Sequence, residues 1–160
     1  MAPTPNKRRG LAAVIGTVAA SAVLLLTPAW EGTKRTTYRD PVNVLTYCTG
    51  ATENAQWGKT YTLAECRAQL DHDLARHAEG MMACIRVPMT DGQKTAYTDF
   101  TFNAGIAAFC GSTMARKTNA GDPVGGCNAL LAWNKAGGRE LRGLTLRRQA
   151  ERDICLRGLK

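Results

Sequence analysis

The sequence predicts an α+β fold that is mainly helical, with a small β-hairpin lobe, a helical lobe and a cleft between them. Two capping boxes predict the helices: Thr62-Leu63-Ala64-Glu65 and Thr90-Asp91-Gly92-Gln93 each stand at the head of a periodic apolar segment. The stretch 30–60 is rich in Thr, Tyr and Gly without helical period, which predicts a short helical turn followed by an antiparallel hairpin. At 160 residues the chain is long enough for one domain with its own core.

The first box opens a helix running to about Met82, with Leu63, Cys66, Leu70 and Leu74 on its apolar face. From the second comes a helix that buries Ala96, Tyr97 and Phe100 and ends near Asn103-Ala104-Gly105. Asp122-Pro123 supplies an N-cap and a first-turn proline for a helix to about Asn134, stopped by Ala136-Gly137-Gly138. A last helix covers about Thr145 to Arg157, with Leu146, Ala150, Ile154 and Cys155 inward and Gly158 just past its end.

Before all this, Lys7, Arg8 and Arg9 precede Leu11 to Ala29, nineteen residues without a charge. A basic run ahead of such a stretch marks a signal sequence or a membrane anchor, and nineteen residues is about the length a bilayer core requires. Ala, Gly, Ser and Thr fill ten of those positions, so the segment is a weak anchor. The chain thus divides into 1–29, a basic stretch and membrane segment, and 30–160, the folded domain.

The net charge of +8 points to an anionic partner. Arg139, Arg142, Arg147, Arg148, Arg152, Arg157 and Lys160 face only Glu140, Glu151 and Asp153, a basic helix that serves either solubility or attraction to carboxylates. No interleaved aromatic and basic motif supports a nucleic-acid binder. Cys48, Cys66, Cys84, Cys110, Cys127 and Cys155 include no CxxC pair, so neither a metal nor another cofactor is expected. An even count behind an export-like N-terminus favours disulfides over free thiols.

Glycosidic bonds are broken by two carboxyl groups, one protonated to donate to the leaving oxygen and one ionised. Glu31 and Asp40 are the candidate pair. A carboxyl in a partly apolar place, which Trp30 is expected to provide, is favoured in its protonated form. Glu31-Gly32, Tyr38-x-Asp40, Thr46 and Gly50-x-Thr52 stand in order here. Further on come Phe102-Asn103-Ala104-Gly105, Ser112-Thr113, Arg116-Lys117-x-Asn119-Ala120-Gly121-Asp122, Trp133-x-x-Ala136-Gly137-Gly138, Gly143-Leu144 and Arg147-Arg148-x-x-Glu151. This series resembles phage-type lysozymes, glycoside hydrolase family 24, from about Trp30 to the C-terminus.

The resemblance implies a lysozyme-like fold and hydrolysis of the β-1,4 bond between N-acetylmuramic acid and N-acetylglucosamine, with inversion at the anomeric carbon. It makes Glu31 the general acid, Asp40 the group that positions or activates water, and Thr46 a holder of that water. Asn103 becomes a candidate substrate contact. Trp30 and Trp133 are read as core residues in preference to sugar platforms, and His72 and His77 as solvent-facing. A pairing of Cys48 with Cys66, Cys84 with Cys155 and Cys110 with Cys127 is expected among fifteen possibilities.

Thr27-Pro28-Ala29 resembles a signal-peptidase site, but cleavage there would leave Trp30 and Glu31 at the new N-terminus, and a catalytic acid needs a fixed backbone. The uncleaved reading resembles the signal-arrest-release endolysins of lambdoid phages. That resemblance implies a monomeric enzyme held at the host inner membrane through residues 11–29, facing the periplasm, then released into it. A holin or pinholin is the implied functional partner, and peptidoglycan the substrate. Cysteine is absent before Cys48, so activation is expected by refolding around Glu31 and not by disulfide exchange. The alternative class is a lysozyme-like peptidoglycan-binding or phage structural protein without hydrolysis, which would be free to lose Glu31 and Asp40.

Overall fold

A computed structural model describes residues 9–160. Lys7 and Arg8 of the basic run lie outside the described residues. The apolar segment is folded into the protein as two helices, α1 (Leu11–Ile15) and α2 (Thr17–Glu31), and no described helix is long and apolar enough to cross a membrane. Gly16 separates them with φ 89° and ψ 160°, a conformation open in practice to glycine alone. Helix α2 continues through Ala29 and Trp30 without a break and ends at Gly32, whose N–H donates to the Pro28 carbonyl.

One stripe of this segment enters the core. Leu11, Ile15, Ala19, Val23 and Thr27, spaced four apart, are all buried, while Val18 and Leu25 remain exposed. Full burial of Leu11, Ile15 and Val23 contributes about 1.5–3 kcal/mol each. Their partners are Leu70, Leu74, Ala78 and Met81 of α3 (Leu63–Ala83) and Ala96, Tyr97 and Phe100 of α4 (Asp91–Ala104), all in one hydrophobic cluster. Both predicted capping boxes are formed: Thr62 with Glu65 on α3, and Thr90 with Gln93 on α4. Leu63 departs from expectation, because as the first residue of α3 it lies beyond the packed faces and is exposed.

The small lobe is the hairpin β1 (Lys34–Arg39) and β2 (Leu45–Cys48), paired Tyr38 to Thr46 and Arg39 to Leu45, with a bulge between Lys34 and Tyr38. Its own cluster holds Tyr47, Cys48, Ala51, Tyr61 and Cys66, the two tyrosine rings stacked at 4.2 Å. A Cys48–Cys66 disulfide staples β2 to α3.

After α4 come two short helices that periodicity did not foresee, α5 (Ile106–Cys110) and α6 (Thr113–Asn119). Gly105, at φ 100°, turns the chain between α4 and α5. The helix expected from Pro123 to Asn134 is shorter, α7 (Pro123–Asn128) with a 3₁₀ turn at Ala129–Ala132. Gly137 and Gly138, both at positive φ, form the turn of a two-residue hairpin, β3 (Lys135–Ala136) and β4 (Arg139–Glu140).

Helix α8 (Arg142–Arg157) begins before the expected Thr145, and its inward face differs from the apolar reading. Arg147, Arg148, Glu151 and Cys155 are buried, Ala150 and Ile154 half-buried and Leu146 exposed, because buried ion pairs occupy the seam against α4. Two expected disulfides are also corrected: the structure joins Cys84 to Cys110 and Cys127 to Cys155, not Cys84 to Cys155 and Cys110 to Cys127. The unforeseen α5 brings Cys110 beside the end of α3, and α7 packs on α8 so that Cys127 meets Cys155.

Candidate active site

Glu31 is the last residue of α2, three positions before the hairpin begins, at the junction of the two lobes. Its side chain is 31% exposed. Arg147 Nη1 donates to Glu31 Oε1 at 2.5 Å. The neighbour that sets this carboxyl is therefore a guanidinium, not the apolar wall expected from Trp30. The Trp30 ring is half-buried, with its Nε1 buried and unpaired among the described residues.

Arg147 is itself fixed from behind. Its Nε and Nη2 donate to the two oxygens of Asp99 at 3.0 Å each, and its Nε lies 3.4 Å from Glu151 Oε1. Asp99 is fully buried and also accepts from Thr27 Oγ1 at 2.7 Å, so a hydroxyl of the apolar segment closes the network. Arg148 donates twice to Glu151, at 2.9 and 2.6 Å, and once to Asn103 Oδ1, with its guanidinium carbon 4.7 Å from the centre of the Phe100 ring. Burial pushes the Glu151 carboxyl well above its ordinary range, and its hydrogen bond with Asp99 adds to this.

The hairpin turn gathers the other two candidates. The Asp40 N–H donates to the Val44 carbonyl, and Asp40 Oδ1 accepts from the N–H groups of Val42 and Val44 at 3.0 and 2.8 Å. Thr46 Oγ1 donates to the same Val44 carbonyl at 3.0 Å, and Thr46 is buried on β2. Asp40 and Thr46 thus meet at the Val44 carbonyl, where the turn enters β2. Glu31 lines a cavity of about 280 Å³ together with Thr49, Gly50, Asp73, Arg76, His77, Phe102 and Asn103, a lining that does not include Asp40 or Thr46.

Asn103, the candidate substrate contact, lines the same cavity as Glu31, with its Oδ1 taken by Arg148 and its amide nitrogen left over. His77 is not solvent-facing as read from the helix pattern: it is half-buried and lines the same cavity. Trp133 packs edge-on against Phe100 at 5.2 Å and is 37% exposed, so it belongs to the edge of the core. Asp99 and the roles of Arg147, Arg148 and Glu151 escaped the sequence reading. Their signal was a lone carboxylate inside the buried stretch of α4 and the i, i+3, i+4 spacing of Arg147, Arg148 and Glu151.

Comparison with known proteins agrees with this architecture. The model of the phage lysozyme family matches residues 28–151. A SAR-endolysin of bacteriophage PS119 is 40% identical over 165 residues, covering 99% of each chain, and one of enterobacteria phage P21 is 40% identical over 161 residues, covering 96% of this chain and 98% of its own. The crystal structure of the active form of the P1 phage endolysin Lyz superposes with a TM-score of 0.80 at 26% identity, covering 93% of this chain and 92% of that one. The family match starts at Pro28, whereas the PS119 alignment also takes in the apolar segment. The chain belongs to the phage lysozyme family.

Proposed function

We propose that this protein is an endolysin that hydrolyses the β-1,4 bond between N-acetylmuramic acid and N-acetylglucosamine in peptidoglycan, tethered and inactive until it leaves the membrane. The observation that carries the proposal is that Glu31 ends the helix built by the apolar segment. Spanning a bilayer would take Leu11, Ile15, Ala19, Val23 and Thr27 out of the core and Glu31 away from Arg147. Membrane exit and assembly of the acid are then one event. The names of the PS119 and P21 relatives and the likeness to the active P1 enzyme support this reading.

In the mechanism, Arg147 holds Glu31 Oε1 and leaves Oε2, which has no hydrogen-bond partner among the described residues, to carry the proton for the leaving oxygen. Asp40, its Oδ1 fixed by two backbone N–H groups, activates water on the opposite face, and Thr46 holds that water. Inversion at the anomeric carbon follows. Residues 1–29 act as the basic stretch and membrane segment and 30–160 as the catalytic domain. The segment is not cleaved, because cleavage after Ala29 would strip six buried residues, Leu11, Ile15, Ala19, Ala20, Val23 and Thr27, from the protein. The enzyme works as a monomer in the periplasm after release from the host inner membrane, which a holin or pinholin triggers by depolarisation.

Turbidity loss of permeabilised bacteria tests the chemistry: the wild type clears the suspension, and Glu31→Gln does not. Five leucines added within Leu11 to Ala29 test the tether, with the variant expected in the membrane pellet and inactive. Full lysis by that variant would sink the tethering half of the proposal.

A further inference from the structure

His77 is one turn beyond Asp73 on α3, and its Nδ1 lies 2.7 Å from the Asp73 carbonyl oxygen. A carbonyl oxygen only accepts, so Nδ1 carries the hydrogen and donates it. In the neutral ring the other nitrogen, Nε2, is then a bare acceptor. None of the described residues donates to it. The ring is further fixed edge-on against Phe102, with centroids 5.3 Å apart.

Asn103 lines the same cavity with the opposite polarity. Arg148 has donors only, so it occupies Asn103 Oδ1 and leaves the Nδ2 hydrogens as donors. Besides Glu31, Thr49, Asp73 and Arg76, the cavity is therefore lined by a neutral acceptor on His77 and an amide donor on Asn103, and the His77 ring packs on Phe102, the residue before Asn103. A secondary amide presents the complement, one N–H and one C=O.

We propose that His77 is a specificity residue that accepts the N–H of a sugar acetamido group in the cavity beside Glu31, while Asn103 donates to the same group's carbonyl. The inference rests on the glycan-cleaving function proposed above and assigns the feature of the glycan that this wall reads. A sugar hydroxyl could also donate to Nε2, and only the acetamido group would distinguish an amino sugar from plain glucose.

Calorimetric titration of the full chain in a Glu31→Gln background, where nothing is turned over, tests this with tri-N-acetylchitotriose and with cellotriose, which lacks acetamido groups. His77→Phe keeps a ring against Phe102 and removes the acceptor, so chitotriose affinity should fall about three- to tenfold, the loss of one hydrogen bond. His77→Gln restores an acceptor and should keep the parent affinity. Cellotriose binding should be the same in all three proteins, and matched thermal midpoints exclude misfolding as the cause. Unchanged chitotriose affinity in His77→Phe, an equal fall for both sugars, or no chitotriose binding by the parent overturns the proposal. Failure of the wider functional reading shows separately, as a wild-type protein that does not clear permeabilised cells.

Discussion

Arg147 Nη1 and Glu31 Oε1 meet at 2.5 Å across 116 positions of sequence, tying the last helix of the chain to the end of the apolar segment. The same guanidinium neutralises buried Asp99 and lies beside buried Glu151. Removing it leaves carboxyl groups in the core without their cation.

Arg147→Ala should therefore cost about 3–5 kcal/mol of stability, the usual result of breaking one side of a buried pair. It should also lower lytic activity more than tenfold, since Glu31 loses its hold. Arg147→Lys keeps the charge but not the bidentate fork, and should fall between wild type and Ala in both. Urea unfolding and turbidity assays on the same preparations check this.

Thr27 is a hydroxyl on the buried stripe of α2, and it donates to Asp99. Thr27→Val is nearly isosteric and leaves that carboxylate oxygen short of a donor, costing about 1–3 kcal/mol. The change also makes the segment more apolar. Both effects oppose the folded enzyme, so more protein should stay in the membrane pellet and lysis should start later, while Thr27→Ser should behave as wild type. An unchanged pellet fraction for Thr27→Val would count against the coupling of release to folding.

Gly16 divides the apolar segment at φ 89°. A side chain there strains the folded state by about 1–3 kcal/mol, and in an uninterrupted helix alanine is favoured over glycine by about 1 kcal/mol. Gly16→Ala should shift the protein towards the membrane without touching any catalytic group. Fractionation of cells before lysis, and the thermal midpoint of the released protein, measure the two halves of that effect.

Glu151 supplies a pH signature. Its carboxyl titrates above the ordinary range because it is buried, and its hydrogen bond with Asp99 adds to this, so the folded state holds a proton that the unfolded chain gives up. The resulting stability is complete below the unfolded value and is lost as pH rises through the folded one. Glu151→Gln stays neutral throughout and removes this slope. Thermal midpoints from pH 4 to 8 should show the variant gaining on wild type as pH rises; a constant difference contradicts the assignment.

Much of the architecture was legible locally. Thr62 with Glu65 and Thr90 with Gln93 announce α3 and α4, because a capping box is written within four residues. Helices α5 and α6 were not legible, being too short for a period to register. Within the candidate site, the sequence singled out Glu31, Asp40, Thr46 and Asn103. It missed His77, whose facing depends on where Phe102 sits, and the inward turn of Arg147 and Arg148, since two adjacent arginines on a helix read as a solvated face.

The sequence by itself singled out the candidate catalytic residues, the small-residue composition of the apolar segment and the single residue between Ala29 and Glu31. Only the tertiary structure decided where that segment goes once folded, which cysteines meet and what holds Glu31. Those three depend on contacts between residues such as Cys127 and Cys155, Thr27 and Asp99, or Glu31 and Arg147, 28 to 116 positions apart. Neither local propensity nor periodicity reaches that far along a chain; packing brings such pairs together.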